Sequence, residues 1–296
     1  MEIWQQNSFS NSYTQGRLYL IPTPIGNLED ITYRSLRLLK EVNFIAAEDT
    51  RNTKKLCNYF EISTPLISYH EHNKEQSGKK IIDLLKEGKD VGLVSDAGMP
   101  SISDPGYEIV VEALEEKLFV VPLPGANAAL TALIASGLVS QPFYFYGFLD
   151  RQKKEKKKEL ERLKKLTDTF ILYESPHRLK DTLSLMNEIL GNRSIVVSRE
   201  LTKKFEEFTR GNISEVLALY EEQGIKGECC IIIEGNREEV HEEEDFWWKD
   251  LSLLEHVQQI MEKESCSSKE AIKQVSKERN LPKREVYQAF HVDLET

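Results

Sequence analysis

Three short segments set carboxylates, two of them with a guanidinium, directly after apolar runs, where chemistry is easiest to build. Ala47-Glu48-Asp49-Thr50-Arg51 sets two carboxylates and a guanidinium behind one such run. A carboxylate there can take a proton from a hydroxyl, and a guanidinium can steady a developing oxyanion. The plainer reading is a helix start with acids at its positive end and a local ion pair. Ser95-Asp96-Ala97-Gly98-Met99-Pro100, continuing to Gly106, is dense in small and turn-forming residues. It offers backbone donors and acceptors plus the Asp96 carboxylate. Tyr173-Glu174-Ser175-Pro176-His177-Arg178 places His177 and Arg178 where they can meet a phosphate or merely close a helix turn.

Two further segments share the same placement. Pro22-Thr23-Pro24-Ile25-Gly26-Asn27 has two prolines that fix the backbone and a glycine that permits close approach. It lacks the G-x-G-x-x-G spacing of a dinucleotide site. Tyr69-His70-Glu71-His72-Asn73 brings a polar cluster to a strand end. No Cys or third His stands near these histidines at zinc spacing, so no metal site is expected. The four cysteines form no C-x-x-C pair and are expected to be buried free thiols in a reducing compartment. Cys229 and Cys230 should point to opposite faces of one strand.

The elements that would position these loops alternate. Strands are expected at 18–21, 42–47, 65–69, 91–95 and 118–122, with helices at 30–41 (Asp30 as N-cap), 51–60, 75–87 and 106–116. Alternation of this kind gives an α/β layer with largely parallel strands, whose ligand cleft lies beyond the carboxyl ends of the strands. After a helix at 126–136, a second α/β unit has strands at 143–148, 169–173, 194–198 and 228–234. The polar, β-compatible stretch between 199 and 224, with a helix near 213–222, implies a mixed sheet. The domains expected are a flexible N-terminal arm (1–16), an N-terminal α/β domain (17–125), a C-terminal α/β domain (126–237), and an acidic linker with a helical tail (238–296). In the tail, a helix at 251–264, a capping box at Ser267–Glu270 and a break at Asn280-Leu281-Pro282 make three short helices of helix-turn-helix size.

Of the 296 residues, 39 are basic and 49 acidic, a net charge of −10 that at first argues against a nucleic-acid partner. The charge is unevenly spread. Residues 238–266 hold ten acids and two bases, whereas 151–165 hold nine bases and three acids. Lys153, Lys154, Lys156, Lys157 and Lys158 are the residues of this segment that could meet the phosphates of a nucleic acid such as RNA, against the plain reading of a solvated helix face. No apolar run reaches the length of a membrane span, and the polar start of the chain has no signal-peptide core.

Taken in order, LYLIPTPIGNLEDIT, AEDTR, SYHEHN, LVSDAGMPSISDPG, PLPGANAALTAL, FYGFL, YESPHR, SRELTKKFEE and KGECCIIIEG resemble the tetrapyrrole methylase superfamily over about 17–235. The closest resemblance is to the branch that methylates the cytidine 2′-oxygen of 16S ribosomal RNA. The resemblance implies two α/β domains with a cofactor cleft between them, a small C-terminal helical domain, and S-adenosylmethionine as methyl donor. It implies a cytoplasmic homodimer, and 16S rRNA in the decoding region of the small ribosomal subunit as substrate. It places Thr23, Pro24, Ile25, Asp96, Ala97, Gly98, Met99, Ala126, Asn127, Ala128, Tyr173 and Glu174 around the cofactor, with help from the strand at Cys229–Ile231. The chain departs from the family pattern at Met99, at Ala126-Asn127, at Asp150 and at Cys229-Cys230. Candidate groups for activating the acceptor hydroxyl are Glu48, Asp49, Arg51, His70 and Arg178, with the base among them left open. Two other readings are a methylase acting on a tetrapyrrole, and a ribosome-binding factor without catalysis. The lysine-rich segment and the helical tail weigh against the first, the intact proline–glycine loops against the second.

Overall fold

The computed structural model describes residues 3–8, 14–237, 247–248 and 251–292. The chain divides into two compact units, 1–237 and 238–296. Most of the acidic linker lies outside the described residues.

The first unit begins with β1 (Arg17–Leu20), α1 (Tyr33–Glu41), β2 (Phe44–Ala47), α2 (Thr50–Tyr59), β3 (Leu66–Ser68), α3 (Lys74–Lys86), β4 (Val91–Val94), α4 (Tyr107–Glu115) and β5 (Phe119–Pro122). The strands form one sheet in the order β3-β2-β4-β1-β5. Every pairing in it is parallel. A parallel sheet is covered on both faces, which is why its strands are near-continuous apolar runs. Alternation sends Ile45 and Tyr19 to one face with Leu38, Leu39 and Ile62, and Ala46 and Leu18 to the other with Ile81, Leu85 and Ile109.

α1 starts later than the sequence suggests. Asp30 belongs to a short 3₁₀ turn, and Thr32 is the N-cap, accepting from Ser35 N at 3.0 Å. A threonine side chain three residues before that amide satisfies an otherwise orphaned donor, which Asp30 is too early to reach. Part of the N-terminal arm is held against β5. The Gln6 side chain donates to Val120 O (2.9 Å) and accepts from Val120 N (3.1 Å), and Trp4 lies 6.1 Å from the Phe119 ring.

The second layer comprises α5 (Ala128–Ser136), β6 (Phe143–Phe148), α6 (Lys153–Leu163), β7 (Thr169–Glu174), α7 (Pro176–Leu190), β8 (Ser194–Arg199), β9 (Glu207–Asn212), α8 (Ile213–Gln223) and β10 (Cys229–Ile233). Its strand order is β6-β7-β10-β8-β9. β6 and β7 are parallel, while β10 runs antiparallel to both β7 and β8, and β8 to β9. The mixed sheet is as expected, with β9 supplied by the polar stretch. β10 sits between two strands and under helices, so all five residues of Cys229–Ile233 are buried. Cys229 packs into the core on the α7 side and Cys230 into the core on the α5 side. All four cysteines are free, with Cys266 half-buried rather than buried.

The second unit contains α9 (Leu253–Glu264), α10 (Ser268–Glu278) and α11 (Lys283–Val292). Val257, Ile260, Ala271, Ile272, Val275, Val286 and Phe290 make its core. Capping boxes at Ser252–Glu255 and Ser267–Glu270 open α9 and α10. Among the described residues no helix is long and apolar enough to cross a membrane.

Candidate functional site

Because the first sheet is fully parallel, the loops after β1, β2, β3 and β4 all leave from one edge. They carry Thr23–Ile25, Glu48–Arg51, His70 and Asp96–Met99. The loops after β1 and β4 are stitched together: Thr23 N donates to Gly98 O and Gly98 N to Thr23 O, each at 3.0 Å, and Thr23 Oγ1 donates to Ser95 O at 3.1 Å. Gly98 has φ +80°, and a Cβ there would lie 3.2 Å from both Ala126 O and Ile25 Cγ2. Glycine is required on both counts.

This stitched pair walls a cavity of about 360 Å³ against the second sheet. Ile25, Ala97, Gly98, Met99, Asn127, Ala128, Tyr173 and Glu174 line it, as the sequence placed them, and so do Cys229 and Cys230. Thr23, Pro24 and Asp96 instead line a neighbouring hollow against α2, shared with Asn52 and Tyr59. Ala126 meets the site through its carbonyl beside Gly98. The sequence reading passed over Ile102, Ser103, Asp104, Phe148, Ser198, Glu200, Leu201, Lys203, Ser175 and Glu228, which also line the cavity. Asp104 was visible within the same turn-rich segment as Asp96. Glu200 and Glu228 come from different strand ends, and only the β10–β8 pairing brings them near each other.

Tyr173 ties α5 to the second sheet by accepting a hydrogen bond from Ala129 N (3.0 Å) on its phenolic oxygen, beside Asn127, whose side chain caps α5. Phe145 and Phe148 pack edge-on to the Tyr173 ring. Burial raises the Tyr173 phenol and pushes the Cys229 and Cys230 thiols up to about 12, so all three are neutral wall groups.

The charged rim is acidic. Asp104, Glu200 and Glu228 line it, with the Lys203 ammonium drawn to Glu200 at 2.9 Å, while the buried Glu174 carboxylate in the wall is met by Lys156, Thr182 and Arg178. Partial burial raises the carboxyls of Glu48 and Asp104 above the ordinary range, and neighbouring carboxylates add to the effect: Asp104, Asp96 and Asp49 for Glu48, Asp96 and Glu228 for Asp104. The cavity therefore combines an apolar wall with a field that favours a cation.

The candidate catalytic residues separate by environment. Asp49 caps α2 and accepts from Arg51 N, Nε and Nη2, which hold its carboxyl down at about 2. Arg51 is committed to that pair. His70 follows the edge strand β3, with its amide bonded to Asn73 Oδ1 (2.8 Å), and lines neither the cavity nor the neighbouring hollow. Arg178 is also committed: its Nη2 donates to Leu149 O (2.7 Å) and Asp150 O (3.1 Å), and its Nε lies 3.2 Å from Glu174 Oε1. It ties the buried Glu174 of the wall to the loop after β6.

One expected RNA contact is overturned. Lys156 is buried on the inner face of α6, its Nζ 2.8 Å from Thr182 Oγ1 and 3.6 Å from Glu174 Oε2. The apolar positions Leu160 and Leu163 turn that face inward and take Lys156 with them. Lys157 pairs with Glu188 and Lys158 with Glu155, leaving Lys153 and Lys154 as exposed cations at the start of α6. Among the described residues no group of three or more His, Cys, Asp or Glu side chains could hold a metal ion.

A family model described as Tetrapyrrole (Corrin/Porphyrin) Methylases matches residues 17–217. The chain is 62% identical over 288 residues to a Bacillus subtilis (strain 168) protein named ribosomal RNA small subunit methyltransferase I, covering 97% of this chain and 98% of that one. A protein of the same name from Halalkalibacterium halodurans is 57% identical, covering 97% and 98%. Among solved structures, a cobalamin biosynthetic enzyme, cobalt precorrin-4 methyltransferase, superposes with a TM-score of 0.58 at 19% identity, over 74% of this chain and 94% of that one. That last likeness shows the fold. The sequence matches go further, and the chain belongs to the tetrapyrrole methylase family, among the methyltransferases of its ribosomal RNA branch.

Proposed function

We propose that the chain methylates the ribose 2′-oxygen of a cytidine in the decoding region of 16S rRNA, using S-adenosylmethionine, in the cytoplasm and as a homodimer. The observation that carries this is the cavity at the carboxyl ends of the strands, apolar in its walls and acidic at its rim, in a chain so close to named rRNA methyltransferases. The residues fit that cofactor. Ile25, Met99 and Leu201 offer an apolar surface, Ala97 and Gly98 present little side chain to obstruct a ligand, and Asp104 and Glu228 suit a cationic ligand. When bound, S-adenosylmethionine supplies a methyl already activated on a sulfonium.

The chain must then orient the acceptor hydroxyl and take its proton. We assign the proton to Glu48, which follows β2 among Asp49, Asp96 and Asp104, outside the lining of the cavity itself. Burial and neighbouring carboxylates raise its carboxyl above the ordinary range and make it the more basic of the two, whereas the Arg51 guanidinium holds the Asp49 carboxyl down. Lys153 and Lys154 support an RNA partner as exposed cations. Leu130 and Ile134 on α5, with Phe143 and Tyr144 on the edge strand β6, are exposed apolar groups that support a second copy covering this side.

The test is methyl transfer from labelled S-adenosylmethionine to small subunits lacking endogenous modification, followed by mapping of the labelled nucleotide. Label on a cytidine ribose is the expected result. Label on a base, on protein or nowhere overturns the reading, and label on a tetrapyrrole instead would return the alternative acceptor.

A further inference from the structure

The loop 200–206 between β8 and β9 has a feature that cofactor binding does not use. Its root lines the cavity through Glu200, Leu201 and Lys203. The backbone enters the left-handed region at Glu200 (φ 50°) and again at Thr202 (φ 66°), neither of them glycine. Such conformations are costly and persist only where the surroundings enforce them. Here they are enforced from across the cleft. Asn27 N donates to Thr202 Oγ1 at 3.0 Å, and Thr202 N donates to Glu206 Oε2 at 2.7 Å. Gly26 leaves the room: a Cβ there would sit 3.1 Å from Leu201 O and closer still to the Lys203 side chain.

Held by Asn27 from the loop after β1 and by Glu206 from within, the loop projects Lys204 and Phe205 outward. Phe205 is 66% exposed, with the Lys204 ammonium 5.7 Å from its ring centroid. A phenyl ring held in water by a braced loop, one turn of chain from the cavity wall, forgoes burial that would otherwise stabilise the fold.

We propose that Phe205 and Lys204 seat the acceptor nucleotide, the ring stacking on an unpaired base of single-stranded RNA and the ammonium meeting an adjacent phosphate. The proposal rests on the reading that the acceptor is a ribose of rRNA. A 2′-hydroxyl can approach a recessed methyl only if its nucleotide leaves the surrounding stack, and an aromatic platform compensates for the stacking lost. Stacking is indifferent to base identity, so this seat binds a pyrimidine without choosing cytosine.

The experiment uses the full-length protein. Phe205→Ala should raise KM for unmodified small subunits roughly 5- to 100-fold, the range that one lost base–aromatic stack produces. Phe205→Trp should restore KM, and S-adenosylmethionine affinity by calorimetry should stay within about twofold in both. In Phe205→Trp, emission should be quenched by an unmodified single-stranded oligoribonucleotide of decoding-region sequence, and adding Lys204→Ala should weaken that binding and make its salt dependence shallower. Unchanged KM in Phe205→Ala, a matching loss of cofactor affinity, or a change from dimer to monomer on light scattering would each overturn the proposal. Quenching by the oligonucleotide together with absent methyl transfer by the wild type would sustain the seat and overturn the reaction assigned above. Transfer without quenching would do the reverse.

Discussion

The Arg51 guanidinium grips the Asp49 carboxylate through both arms of its fork, Nε 3.0 Å from Oδ1 and Nη2 2.7 Å from Oδ2. That pairing removes Asp49 from proton chemistry and leaves Glu48, one residue earlier, among acids. Glu48→Gln should therefore lower kcat by about 10²-fold or more with little change in S-adenosylmethionine affinity. Asp49→Asn should keep most of kcat and lose stability through the weakened cap and ion pair. Single-turnover methyl transfer with each variant checks this. Full activity in both would remove the two carboxylates from the role of base.

The same environment makes Glu48 a cost to the fold. Its carboxyl is raised in the folded state, so the folded protein binds a proton more readily than the unfolded chain. Stability from this group is present below the ordinary value of 4.5 and is lost as pH rises through the folded value. At pH 7.5 Glu48→Gln should melt higher than the wild type while being less active, and the difference should close toward pH 4. Thermal melts across that range check it. A lower melting temperature at pH 7.5 would contradict the environment described for Glu48.

Lys156 separates a structural lysine from the binding ones around it. Lys156, Thr182 and Arg178 satisfy the buried Glu174 carboxylate. Removing one partner leaves a charge uncompensated, and Lys156→Ala should destabilise by about 3 kcal/mol. Lys153→Glu with Lys154→Glu should leave the melting temperature nearly unchanged and weaken small-subunit binding, more so at low salt. Urea melts and a salt-titrated binding assay distinguish the two. Equal effects on both readouts from both changes would mean that α6 does not divide in this way.

Much of this was legible in the sequence because apolar periodicity and strand-end punctuation are local properties. The parallel direction of the first sheet follows from alternation, while Gly98, Tyr173 and Asn127 were expected near the cofactor only through the family resemblance. Lys156 was misread because charge composition is summed over a segment, while burial depends on which helical face Leu160 and Leu163 turn inward. The bonds of Arg178 were not legible because its partners, Leu149 O and Asp150 O, are carbonyls that no side-chain pattern announces. Glu228 and Glu200 escaped notice because an antiparallel pairing, set by the whole sheet, brings their strand ends to the same cavity.

The helical tail carries a separate titratable lock. His256 is fully buried, stacked on Trp248 with ring centroids 5.2 Å apart, and accepts a hydrogen bond on Nδ1 from Arg279 Nε at 3.1 Å. Its Nε2 lies 3.1 Å from Glu278 Oε2. Burial first, then the Arg279 charge, lowers its pKa below 6.5, and Lys263 adds to this against the opposing pull of Glu278. The folded state therefore keeps the imidazole neutral. Its contribution is complete above the unfolded value of about 6.5 and is lost as pH falls through the window beneath it, because the unfolded chain takes up the proton first. A proton on Nδ1 would also displace the Arg279 donor. With Trp4→Phe removing the third tryptophan, Trp247 and Trp248 report on this unit alone. Their unfolding transition should fall to lower temperature between pH 7.5 and 5.5. In His256→Gln the transition should be lower at pH 7.5 but nearly independent of pH over the same range. A parallel fall in both proteins would assign the acid sensitivity to carboxylates and not to His256.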